Sequence, residues 1–148
     1  MGNEFALFQD VAIKLLIASI LGGLIGFERE IHEKPAGLRT NALISLGSAL
    51  IMIISIYVTK IYGTTASDPG RIAAQVITGI GFIGAGVILQ SRGSIKGLTT
   101  AATIWSVTGV GLAVGCGFYT AALTATIIIL IVLLAIGRIE QRFLRNKE

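Results

Sequence analysis

Asp68, Arg71, Gln75, Thr78 and Gly79 recur at the three- and four-residue steps that place side chains on one face of an α-helix. An acid, a base and an amide on such a stripe, running into a glycine-rich stretch, would suit a hydrated mouth or an ion path. The same residues have a plain structural use. Asp68 can cap the helix start, Arg71 can pair with it, and the Gln75 amide can hydrogen-bond a neighbouring helix. A second set is Glu28, Glu30 and Glu33, three carboxylates in six residues. Mg²⁺ typically needs only one or two carboxylates plus water, so they could attract it. Arg29, Lys34 and Arg39 lie among them and offset that charge, which is the pattern of a solvated, self-paired loop. A third set, Thr99, Thr103 and Ser106, shares a helix face and would either line a path or join neighbouring helices.

Around these candidates the rest of the chemistry is sparse. With one His32 and one Cys116 there is no nucleophile–base–orienter set, so enzyme activity is not expected. The lone cysteine has no Cys or His neighbours for a metal cluster. No cofactor is expected beyond weak Mg²⁺ binding, and the metal ligands stay open. Gly79 to Gly84 matches the G-x-G-x-x-G spacing of dinucleotide sites. That motif works between a strand and a helix, with an acid about 20 residues later. Here it sits in an apolar run, and no acid follows before Glu140.

The elements that must position these residues are apolar and long. Of 148 residues 53% are hydrophobic and 14% charged, and mean hydropathy is +0.83. That is the balance of a lipid-solvated chain. The net charge of +4 has no soluble face to concentrate on, which argues against a nucleic-acid partner. Glu4 and Asp10 stand where a signal peptide would be basic. Five crossings are expected, at about 11–27, 40–58, 72–91, 97–114 and 118–137. The fold class is therefore all-α: a single polytopic membrane domain with five transmembrane helices packed through glycine-rich faces. Gly22 and Gly26 form a G-x-x-x-G pair in the first helix, Gly111 and Gly115 another in the fourth. Gly79, Gly81, Gly84 and Gly86 crowd the third, which is expected to be the helix the others pack on, with Trp105 against its glycines. Such faces also suit a homo-oligomer or another membrane protein, with lipid over the remainder.

Orientation follows from the basic residues. Arg29, Lys34, Arg39, Arg92, Lys96, Arg138, Arg142, Arg145 and Lys147, nine in all, fall on one side of such a bundle; Lys14, Lys60 and Arg71 fall on the other. This places the N-terminus outside and the C-terminus in the cytoplasm. Tyr57, Tyr62 and Tyr119 then lie near the outer interface.

Ordered segments carry a further signal: Gly26 to Glu30, Lys34 to Asn41, Gly47 to Ala49, Asp68 to Gln75 continuing to Gly86, and Gly97 to Trp105. In that order and spacing the chain resembles the MgtC/SapB family of bacterial inner-membrane proteins over nearly its whole length. The resemblance implies an inner-membrane protein linked to growth under magnesium limitation and, in pathogens, to survival inside host cells. It implies a regulatory role on other membrane machinery, including the proton-translocating ATP synthase, rather than carriage of Mg²⁺. The chain departs by ending near residue 148, where longer members add a soluble domain resembling ACT domains. It also carries Thr99 and Ser106 where virulence-type members tend to carry Asn and Cys. Two functions are therefore expected to compete: regulation of ion or energy balance through helix contacts, and transport of Mg²⁺ or another small solute. A scaffold whose polar groups are all structural is a third.

Overall fold

A computed structural model describes residues 2–63, 67–91 and 94–136. The expectations for Arg92, residue 137, Arg138, Arg142, Arg145 and Lys147 lie outside these. The described chain forms α1 (Gly2–Ile31), α2 (Leu38–Tyr62), α3 (Gly70–Gly86), a hairpin of β1 (Leu89–Ser91) and β2 (Ser94–Lys96), α4 (Leu98–Gly115) and α5 (Tyr119–Ile131). A π-helical turn, Val132–Ile136, continues α5. Three helices, α1, α2 and α4, are long and apolar enough to cross a membrane.

The expected boundaries move in three places. The first helix begins nine residues early and runs through Glu28 to Ile31, so part of the expected polar loop is helix. Lys14 pairs one turn back with Asp10 at 2.6 Å, which gives this extension an i,i+4 ion pair. The second also extends at both ends. The third ends at Gly86 instead of Ser91. Gly84 and Gly86 hold helix weakly, and the β-branched Val87 and Ile88 follow, so the chain leaves the helix and pairs Leu89 with Lys96 and Gln90 with Ile95. Gly97, at φ 92°, then turns the chain into α4, and a side chain there would meet the Val87 carbonyl oxygen at 2.0 Å.

The helices alternate in direction, and close contacts fix their order. Gly22 faces the Asn41 carbonyl and Ser45, and Gly26 faces Gly37 and Leu38, so α1 and α2 are antiparallel. Gly111 faces Ser45 and Ser48, and Gly115 faces Ala49 and Met52, which lays α4 parallel to α2, in contact with α1 as well. At the end holding the α2 C-terminus, the Ser55 hydroxyl donates to the Pro69 carbonyl just before α3. The core is Ala18, Leu21 and Ile25 of α1, Ala49 of α2, Val107, Val110 and Val114 of α4, and Ala122 of α5.

The helix that touches all the others is α4, not α3. Among the described residues, a Cβ at Gly79, Gly81 or Gly86 would meet nothing within 4 Å, and at Gly84 it would reach only Ala101 at 3.8 Å. Trp105 is 56% exposed, so its indole does not rest on α3's glycines. Among the described residues, the close approaches of glycine to another helix are made by Gly22, Gly26, Gly111 and Gly115, against α2 and the Gly37 that precedes it, where an added side chain would collide with backbone.

Candidate functional site

The outer stripe forms as a helical face, but it points away from the bundle. On α3 only Ala73, Ile80 and Gly84 are buried. Arg71, Gln75, Thr78 and Gly79 are exposed, and Phe82, one turn further on, is 85% exposed. Asp68 accepts the Gly70 N–H at 2.7 Å and so starts the helix, as an Asp before a first turn should. The expected Asp68–Arg71 pair is not formed, and Gln75 makes no hydrogen bond among the described residues. Gln75 sits five residues into α3, roughly 7 Å beyond its start.

The inner acids do not converge. Among the described residues no group of three or more His, Cys, Asp or Glu side chains could hold a metal ion. Each carboxylate has its own surroundings. Glu30 caps α2 by accepting the Leu38 N–H at 2.8 Å, across a Gly37 whose Cβ would block it at 2.7 Å. Glu33, exposed at φ 53°, sits just past the end of α1. Around it Lys34 N–H bonds the Arg29 carbonyl at 2.9 Å and Glu33 N–H bonds that of Glu30 at 3.1 Å, a Schellman ending.

Glu28 lies inside the bundle, 7% exposed, beside Arg29 at 5%. This corrects the solvated-loop expectation for Glu28, because the helical register of Leu21, Ile25 and Glu28 carries the carboxylate inward as α1 continues. Arg29 Nη1 stands 3.7 Å from Glu28 Oε2, and Arg29 Nη2 donates across to Thr100 Oγ1 at 3.5 Å. His32, on the rim, sets Nδ1 at 3.2 Å from Glu28 Oε1 and 2.8 Å from the Glu28 carbonyl. Glu28 Oε2 and Arg29 Nε have no hydrogen-bond partner among the described residues, and the same holds for Asn41 Oδ1 and Ser45 Oγ on α2. The Asn41 amide nitrogen donates to the Ala36 and Gly37 carbonyls and ties the loop to α2.

The α4 hydroxyls satisfy themselves. Thr103 donates to the Thr99 carbonyl at 2.8 Å and Ser106 to that of Ala102 at 2.9 Å, each within its own helix. Thr99 is exposed, Thr103 buried and Ser106 half-buried, so the three sit in different surroundings. The α4 hydroxyl that reaches another helix is Thr100, through Arg29. Its register with the buried Ile104, Val107 and Gly111 was the available sequence signal.

A family model described as the MgtC family matches residues 15–142. The chain is 47% identical over 141 residues to "Protein MgtC" of Salmonella typhimurium, covering 95% of this chain and 58% of that protein. It is 48% identical over 126 residues to "Protein SapB" of Bacillus subtilis, covering 82% and 54%. To the Escherichia coli protein named "Putative magnesium transporter YhiD" it is 45% identical over 143 residues, covering 94% and 66%. The chain thus spans somewhat more than half the length of these relatives. No solved structure matches it.

Proposed function

The chain belongs to the MgtC family, and on that premise we propose that it is an inner-membrane protein of magnesium homeostasis that regulates ion or energy balance through helix contacts with partners. Its five helices cross the membrane, with the Glu28 loop in the cytoplasm and Asp68 outside. The contacts are made on the outward face of α3.

One observation carries this reading: the polar and glycine-rich residues of α3 face out of the bundle, while the core between the helices is apolar. Leu21, Ile25, Val107, Val110 and Val114 pack the centre, and Gly22 and Gly111 bring α1 and α4 onto the α2 backbone. In lipid the exposed Gln75 amide would be left without a partner, a costly arrangement that a neighbouring protein helix relieves. The open glycines next to it let such a helix approach closely.

The test is Gly79→Leu in cells whose growth under magnesium limitation depends on this chain. Among the described residues a Cβ at Gly79 meets nothing within 4 Å, so insertion and abundance should be unchanged, while growth and crosslinking to a partner through α3 should be lost. Normal growth with Gly79→Leu would remove α3 from the function. The name of the Escherichia coli relative favours a second reading, transport of Mg²⁺, in which the Asp68 stripe would be the mouth.

A further inference from the structure

Resting on the reading that α3's outward face makes protein contacts, we infer that a second copy of this chain covers that face, in a parallel two-fold dimer. Ile72, Gln75, Gly79, Phe82 and Gly86 follow alternating steps of three and four residues, the seam of a two-helix coil. All five are exposed. The G-x-x-x-G pairs Gly22/Gly26 and Gly111/Gly115 are closed by α2 and the residue before it, so they cannot serve a second copy without dismantling the first.

The seam is complementary to itself in three ways. Two copies in one membrane share an orientation, so a two-fold axis along the bilayer normal sets each residue opposite its own counterpart at equal depth. At Gln75 this matters because a carboxamide both donates and accepts, and two of them facing each other satisfy one another. A carboxylate or an ammonium at that position would repel its own copy. One turn toward the helix start, Asp68 and Arg71 carry opposite charges with no ion pair between them within the chain. Across the axis each Arg71 pairs with the Asp68 of the second copy. Two turns deeper, Phe82 projects between Gly79 and Gly86, where among the described residues a Cβ would meet nothing within 4 Å. The ring of one copy fills the hollow that the two glycines leave on the other. Charge, amide and shape therefore all match a copy of the same face.

The experiment uses the full chain with Cys116→Ser, which leaves no native cysteine, and single cysteines placed at Gly79, Gly86 or the off-seam Ala74. Membranes are oxidised and disulfide dimers measured. The dimer is expected at Gly79→Cys and Gly86→Cys, at least about tenfold above Ala74→Cys. Adding Gln75→Leu should weaken association about tenfold, as loss of a paired interhelical hydrogen bond would, with part recovered by Gln75→Asn. Equal dimer at Ala74→Cys and the seam positions would overturn the dimer as random collision. Crosslinks to a different protein alone would overturn the dimer and leave the contact function of α3 standing. No adduct at any seam position in correctly inserted protein would overturn both.

Discussion

Gly111→Ala is the sharpest perturbation of the fold described above. The added Cβ would stand 2.2 Å from the Ser45 carbonyl oxygen and 2.8 Å from the Ser48 Cβ. Non-bonded carbon contacts settle near 3.5 Å, so α4 must withdraw from α2 by roughly 1 Å or the α2 backbone must deform. Overpacking costs about 1–3 kcal/mol, and a collision with backbone, which has no rotamer to escape into, belongs at the upper end. Against this, Ala favours helix over Gly by about 1 kcal/mol. The net loss is about 2 kcal/mol. Gly81→Ala is the matched control. Its Cβ meets nothing within 4 Å, so only the helix gain applies and the variant should be about 1 kcal/mol more stable. A gap of about 3 kcal/mol corresponds to roughly 6–12 °C between the two unfolding midpoints for a chain of this size. Thermal unfolding of the purified protein in detergent, followed by helical circular dichroism, reads it directly. The packing argument fails if Gly111→Ala unfolds at or above the temperature of Gly81→Ala.

Two further changes test the polar end. Arg29→Met leaves the buried Glu28 carboxylate with only His32 beside it and should cost up to about 3 kcal/mol by the same unfolding assay, most of it regained when Glu28→Leu is added; a single variant as stable as the parent would dismiss the pair. Glu33→Gly should raise stability by about 0.5–1 kcal/mol, since relief of a left-handed backbone outweighs the added freedom of glycine, and a lower midpoint would show that the Glu33 side chain has a role of its own.

The apolar segments and their order were legible because lipid-length runs bounded by charge leave few alternatives. The fourth helix was expected within a residue of Leu98–Gly115. The helix start after Asp68–Pro69 could be read from capping chemistry alone. Which way each face points could not. Glycine abundance on α3 suggested a hub, whereas close packing needs small residues on both partners. That match exists where Gly22 and Gly111 meet Ser45 and Ser48. The polar run from Glu28 to Arg39 read as loop because alternating charges are usually solvated. Only the continuation of α1 to Ile31, ended by Glu33, shows that Glu28 and Arg29 turn inward. The hairpin was hidden for a related reason. Val87 to Leu89 continues the apolar composition of α3, so hydropathy alone does not mark the end at Gly86.

The central claim is that function resides on the outward face of α3 and not in a path through the bundle. Mg²⁺ flux into proteoliposomes holding the purified chain alone, with Asp68→Asn beside it and insertion verified, tests that most directly. The account predicts no flux above protein-free vesicles for either protein. Flux through the parent chain that Asp68→Asn abolishes would contradict it and make the outer stripe a transport mouth.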